Sequence, residues 1–173
     1  MSASILTFKG GVHPQYNKEL TNRLPIEVMP APSEAVIPLS QHIGAPCEPL
    51  VAVGDEVKMG QKIGEAKGFV SVPVHSSVSG KVKAIEPRLH SSGQFVNSIV
   101  IENDRLDTLD ESVKPEEDLN NLEPDDIKEI IKEAGIVGMG GATFPTHVKL
   151  TPPKGKKVDT VIINGAECEQ AYG

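Results

Sequence analysis

Apolar and polar positions change their period along this chain. From about Ala35 to Asn103 the apolar residues come in short runs broken by glycine and proline: Ala35–Leu39, Leu50–Val53, Lys62–Ala66, Val70–Val74, Gly80–Ile85 and Ser98–Glu102. Runs of this length, rich in β-branched residues and separated by turn signals, predict a compact all-β module. A different period follows. Ile127, Ile130, Ile131 and Ala134 stand at i, i+3, i+4 and i+7, the single apolar stripe of a helix. Pro124 suits its first position, Asp125 and Asp126 complement the positive end, and Gly135 stops it. A last run, Val158–Ile163, predicts a buried strand. It would carry Asn164–Glu169 at its carboxyl end, where open α/β sheets bind ligands.

Polar stretches divide these elements. Residues 1–34 predict an irregular arm, because Phe8–Pro14 is turn-rich and Pro25, Pro30 and Pro32 forbid a continuous helix. Residues 104–121 carry Asp107, Asp110, Glu111, Glu116, Glu117 and Asp118 and read as a solvated, acidic linker. The expected organisation is α+β and multidomain: arm 1–34, β module 35–103, linker 104–121, and the beginning of an α/β domain over 122–173.

The candidate chemistry sits between the helix and the last strand. Gly138-Met139-Gly140-Gly141-Ala142-Thr143-Phe144-Pro145 places three glycines within four positions, so backbone N–H groups can close on a phosphate. Lys149 can add a positive point charge to the same anion. A second short helix is expected to start near Phe144 to Thr146. The loop follows a helix rather than a strand, and Thr143 replaces the third glycine, so it is not the dinucleotide fingerprint. Nor is it a Walker A loop, since no Gly-Lys-Ser/Thr follows.

Composition removes several classes. Seventeen basic against twenty-four acidic residues give −7, with no basic stripe, which argues against a nucleic-acid partner. Cys47 and Cys168 form no CxxC pair, so a cluster needing four thiolates cannot be built from these residues alone. His13, His42, His75, His90 and His147 lack the HxxxH or HExxH spacing of a zinc site, and no metal site is expected. No apolar run approaches the roughly 20 residues of a membrane span, and the first residues lack the pattern of a signal peptide. The expected setting is cytosolic.

Two resemblances sharpen the picture. Gly54–Ile63 and Val72–Val82 have the cadence of a biotinyl/lipoyl-like barrel-sandwich. Carrier domains of that kind modify a lysine at a hairpin tip, and Lys67 lies about there. Its Ala66-Lys67-Gly68 setting lacks the usual acidic or methionine neighbour, and an unmodified turn lysine is the preferred reading. Gly135–Lys149 closely resembles the FMN loop of the complex I NADH-binding flavoprotein subunit. It looks closer still to the RnfC family, components of the Rnf electron transport complex. The Asn164–Glu169 strand end, the Phe8–Pro14 arm and the lipoyl-like module ahead of the loop fit that family, so the resemblance spans nearly the whole chain.

The resemblance implies a set of roles. Gly138, Gly140 and Gly141 would wrap the FMN phosphate and ribityl chain, with Lys149 reaching a polar flavin group. Phe144 would stack near the nicotinamide side, Asn164 and Glu167 would border the flavin, and Glu169 would hydrogen-bond NAD(H). No residue is assigned as catalytic, because hydride exchange belongs to the cofactors. Further implied are two [4Fe–4S] clusters on cysteines of the longer protein, ferredoxin and the other proteins of the complex as partners, ion translocation, and a peripheral place on the cytoplasmic face of the membrane. These 173 residues alone are expected to bind FMN weakly or not at all. Met139 stands where the complex I pattern has arginine, Ala166 where it has aspartate, and Cys168 where it has glycine, which leaves the details of NADH binding open. Gln170 likewise replaces a frequent proline. Cys168 itself reads as a small buried thiol. The alternatives are a soluble RnfC-like reductase, of cobalamin for example, and a non-catalytic lipoyl-like carrier or scaffold.

Overall fold

The computed structural model describes residues 18–115, 121–139, 143–153 and 155–162. The chain divides into two compact units, Pro30–Lys157 and Met1–Met29 together with Val158–Gly173. In the first unit the strands are Glu34–Pro38 (β1), Glu48–Pro49 (β2), Glu56–Val57 (β3), Lys62–Glu65 (β4), Val74–His75 (β5), Gly80–Leu89 (β6) and Phe95–Asn103 (β7). Helices Pro124–Glu133 (α1) and Thr146–Lys149 (α2) follow. The strands form two antiparallel sheets, ordered β1-β7-β6-β3 and β2-β4-β5. This is the barrel-sandwich the sequence pattern predicts, with the start of a second, helical element set behind it.

The core follows from strand register. Ile37 faces Ile99 and Ala35 faces Ile101 across β1 and β7. Ile101 faces Val82, and Ile99 faces Ile85, across β7 and β6. Val82 and Ile85 are three residues apart, so strict alternation would send them to opposite faces. A register shift between Val82 and Ala84 inserts one residue and returns both to the core. Val57, Ile63 and Val74 close the apolar layer from β3, β4 and β5. Ile63, Ile99 and Ile101 are fully buried; each contributes roughly 1.5–3 kcal/mol on burial.

Several expected elements shift. Of Val70–Val74 only Val74 lies in a strand, although Ser71, Val72 and Pro73 are buried. The reason is local. The His42 ring hydrogen-bonds the Val72 backbone, and Val70 C=O accepts from Ala45 N–H, so no ladder is needed there. Pairing at Leu50–Val53 begins earlier, at Glu48, and Val51–Val53 leave the sheet. β6 runs on through Pro87, because beyond Val82 it has β7 alone beside it, and an open edge tolerates proline.

Segment 104–113 is more than a solvated linker. Thr108 N–H donates to Ser79 Oγ at 3.0 Å, and Met59 N–H to Thr108 C=O at 2.9 Å, laying the segment along the sandwich. Arm residues Phe8–Pro14 lie outside the described residues. Val158–Ile162 correct the expected buried strand: they form no strand, and Val161 and Ile162 are exposed. A strand needs a partner for its N–H and C=O groups. Every ladder among the described residues is antiparallel and falls between residues 34 and 103.

α1 forms where its signals stand. Pro124 occupies its first position, and the Asp126 carboxylate accepts from Glu123 N–H at 2.9 Å. At the other end Ile136 N–H donates to Ile131 C=O and Gly135 N–H to Lys132 C=O. Gly135 there takes φ +70°, the left-handed cap of a Schellman motif. A Cβ on Gly135 would stand 2.8 Å from Pro73 C=O, so only glycine lets the helix end press on the sandwich. The stripe is less buried than an amphipathic pattern suggests, with Ile127 and Ile130 each about two-fifths exposed.

Polar contacts dock α1. The Lys62 ammonium pairs with Glu133 of α1 at 2.8 Å and with Glu65 at 3.0 Å. Burial opposes its charge, yet the hydrogen bonds to Glu133 and Glu65 outweigh burial and hold its pKa above the ordinary value. His75 lies beside this pair. Burial first, then the Lys62 ammonium, hold its pKa below the ordinary imidazole value. A depressed folded-state pKa means the unfolded chain binds the proton first, so this stability is present above about pH 6.5 and is lost as pH falls through the folded value. Thermal unfolding followed by circular dichroism between pH 7.5 and 5 is expected to show a falling midpoint on this limb. His75→Gln is expected to flatten it (an unchanged slope in that variant would rule the assignment out).

Candidate functional site

The site region opens where α1 ends. Gly138 N–H donates to Phe144 C=O at 2.9 Å, and Thr146 N–H donates to Ile136 C=O at 3.1 Å. Val137 and Pro145 form an antiparallel bridge between those two bonds. Together they make a neck that closes the glycine loop at its base. Thr143, just inside the neck, takes φ +48°, a left-handed conformation that is an outlier for a β-branched residue. Such strain costs on the order of 1–3 kcal/mol and persists only where surrounding contacts over-determine it.

Lys149 is exposed on the last turn of α2. Its Nζ lies 2.5 Å from the point a Gly138 Cβ would occupy, so the bare glycine makes room for the ammonium at the neck. Among the described residues no carboxylate pairs with Lys149. Phe144 is half-buried, and its carbonyl is committed to the neck. Of the expected site residues, then, the structure brings together Gly138, Phe144 and Lys149. Gly140, Gly141, Asn164, Glu167 and Glu169 lie outside the described residues, as does Cys168. What is described fits an anionic group: a turn stripped of one side chain and a cation with no carboxylate partner among the described residues.

One residue of this region escaped the sequence reading. His147, on α2, is buried. Its Nε2–H donates to Phe69 C=O at 3.1 Å, and the Phe69 ring meets the imidazole edge-on with centroids 6.1 Å apart. A carbonyl only accepts, so the proton must sit on Nε2, and Nδ1 is left as an acceptor. Nδ1 is buried with no partner among the described residues, a condition that costs roughly 1–3 kcal/mol. The usable signal was Phe69 itself, an exposed aromatic at a turn.

Phe69 belongs to the connection 66–73 between β4 and β5. Lys67 N–H donates to Ser71 Oγ at 3.1 Å, Ser71 Oγ–H to Ala45 C=O at 3.0 Å, and the Lys67 ammonium pairs with the Glu48 carboxylate. A groove of about 760 Å³ along β3, β6 and the 104–110 segment mixes Lys58 and Lys81 with Glu56, Glu102 and Asp104, and shares no residue with the glycine loop. No group of His, Cys, Asp and Glu among the described residues could hold a metal ion.

A lipoyl-like sandwich followed by a helix, a closed glycine loop and a cationic turn defines a barrel-sandwich joined to the opening of a flavin-type domain. Residues 6–106 match the RnfC Barrel sandwich hybrid domain, and residues 131–172 match the Nuo51 FMN-binding domain. The chain belongs to the RnfC family. It is 59% identical over 163 residues to the C subunit of the Na(+)-translocating ferredoxin:NAD(+) oxidoreductase complex of Acetobacterium woodii, covering 94% of this chain and 37% of that protein. It is 50% identical over 163 residues to the C subunit of the proton-translocating ferredoxin:NAD(+) oxidoreductase complex of Clostridium ljungdahlii, covering 94% and 36%. To the C subunit of the ion-translocating oxidoreductase complex of Vibrio cholerae it is 42% identical over 170 residues, covering 97% and 22%. The chain thus spans between about a fifth and two-fifths of the length of these relatives.

Gly138→Ala is expected to push the Lys149 ammonium off the neck with little loss of fold, because the displaced atom ends a flexible side chain. Isothermal titration of the full-length protein with FMN would then show about tenfold weaker binding, the worth of one charge-assisted hydrogen bond. Unchanged affinity would show that the ammonium does not depend on the space at Gly138.

Proposed function

We propose that this chain is part of the C subunit of a ferredoxin:NAD oxidoreductase complex, where it contributes the barrel-sandwich and the first half of an FMN site. The observation that carries the reading is the Lys149 ammonium, with no carboxylate partner among the described residues, beside bare Gly138 at the base of a closed glycine loop. Gly138 with Gly140 and Gly141 would receive the FMN phosphate and ribityl chain, and Lys149 would neutralise it. Phe144 would stack near the nicotinamide side, Asn164 and Glu167 would border the flavin, and Glu169 would meet NAD(H). When bound, FMN would supply hydride exchange and single-electron chemistry. The chain's own residues bind, orient and shield it.

The names of the relatives support ferredoxin and NAD as the electron partners and coupling to ion movement. The [4Fe–4S] clusters would be held by cysteines beyond Cys47 and Cys168. No helix among the described residues is long and apolar enough to cross a membrane. We place the protein peripherally, on the cytoplasmic face, held by the other proteins of the complex.

The test is the full-length protein, purified and titrated with FMN by flavin fluorescence. It is expected to bind the cofactor, with NADH bleaching the flavin absorbance. Lys149→Ala is expected to weaken binding ten- to a hundredfold, the range for losing a charged hydrogen-bond partner. A colourless protein that refuses FMN in excess would overturn the proposal.

A further inference from the structure

We propose that His147 is a positioning residue that makes the glycine-loop site depend on the barrel-sandwich, through the carbonyl of Phe69. The inference rests on the flavin reading above and adds to it the element that sets Lys149 in place.

Three observations converge. First, α2 has only one turn, Thr146–Lys149, so its own hydrogen bonds cannot fix its direction. The neck holds its first residue through Thr146 N–H, and Thr151 Oγ1–H caps the His147 carbonyl at 2.8 Å. Neither contact reaches the sandwich. Secondly, the His147 side chain does. Its Nε2–H reaches Phe69 C=O across 78 positions of sequence, and the Phe69 ring lies edge-on to the imidazole. Thirdly, His147 keeps one ring nitrogen buried with no partner among the described residues. A leucine would fill the same space without that loss. What the imidazole supplies, and an apolar side chain cannot, is the Nε2–H donor.

The acceptor is well chosen for a strut. Val70 C=O, next to Phe69, receives Ala45 N–H at 3.2 Å, and Ser71 Oγ links Lys67 N–H to Ala45 C=O. The Phe69 carbonyl is therefore held on a pinned loop of the rigid sandwich. His147 stands two residues before Lys149, whose Nζ must sit beside Gly138. Without the tether α2 keeps its neck and loses its heading, and the ammonium moves away from the loop.

The experiment uses the full-length protein and four variants: His147→Leu, His147→Gln, Lys149→Ala and the His147→Leu/Lys149→Ala double. FMN dissociation constants come from fluorescence quenching, and amide hydrogen exchange is followed over residues 146–151 without FMN. His147→Leu is expected to weaken FMN about tenfold and to speed exchange at Leu150 and Thr151. His147→Gln, whose amide N–H can reach the same carbonyl, should stay within about threefold of the parent. In the Lys149→Ala background, His147→Leu should cost less than about twofold further, because both act through one ammonium. Unchanged FMN affinity in His147→Leu overturns the inference, as do equal losses for leucine and glutamine or full additivity with Lys149→Ala. If the parent binds no FMN, the flavin reading falls, and exchange at 146–151 alone decides the tether: unchanged exchange in His147→Leu overturns it. Should His147→Leu fail to fold, His147→Asn takes its place: its shorter amide cannot reach the Phe69 carbonyl, so about a tenfold loss of affinity is expected, and no loss overturns the proposal.

Discussion

A glycine loop can hold an anion only if its two ends are fixed, because bare backbone has no preferred shape of its own. Here that constraint is met by the Gly138 N–H bond to Phe144 C=O and the Thr146 N–H bond to Ile136 C=O. Everything at the site follows from this neck. It places Thr143 in its strained conformation, turns the chain into α2, and brings Lys149 back to the loop's first glycine. The Schellman end of α1 feeds the neck from one side. The sandwich steadies it from the other, through Gly135 against Pro73 and His147 against Phe69.

Local signals carried the sequence reading a long way. α1 was legible because stripe, proline, acidic first turn and stopping glycine all agree within a dozen residues. The sandwich was legible because its β-branched runs are divided by turn residues. What could not be read were contacts between distant positions. His42 displaces a strand at Val72 from 30 residues away, and His147 finds Phe69 from 78. The bulge at Lys83 shows only once Val82 and Ile85 are seen to share a face.

The expected strand at Val158–Ile163, described as far as Ile162, teaches the complementary lesson. Its composition is right for a buried parallel strand, yet composition supplies only side chains. The backbone groups need neighbours, and among the described residues no ladder includes it. The candidate site shows the same split. Gly138 and Lys149 were recognisable as a motif, whereas the reason they meet lies in a short helix whose orientation is set elsewhere.

The 66–73 connection has one more implication. A carrier domain ferries a group on a lysine that swings freely from a hairpin end. Here the corresponding lysine is tied to Glu48, and the carbonyls of the next turn are already occupied by Ala45 and His147. The connection is built as a bracket, not as a delivery arm. Whatever rests on this connection would therefore keep a constant spacing from the sandwich.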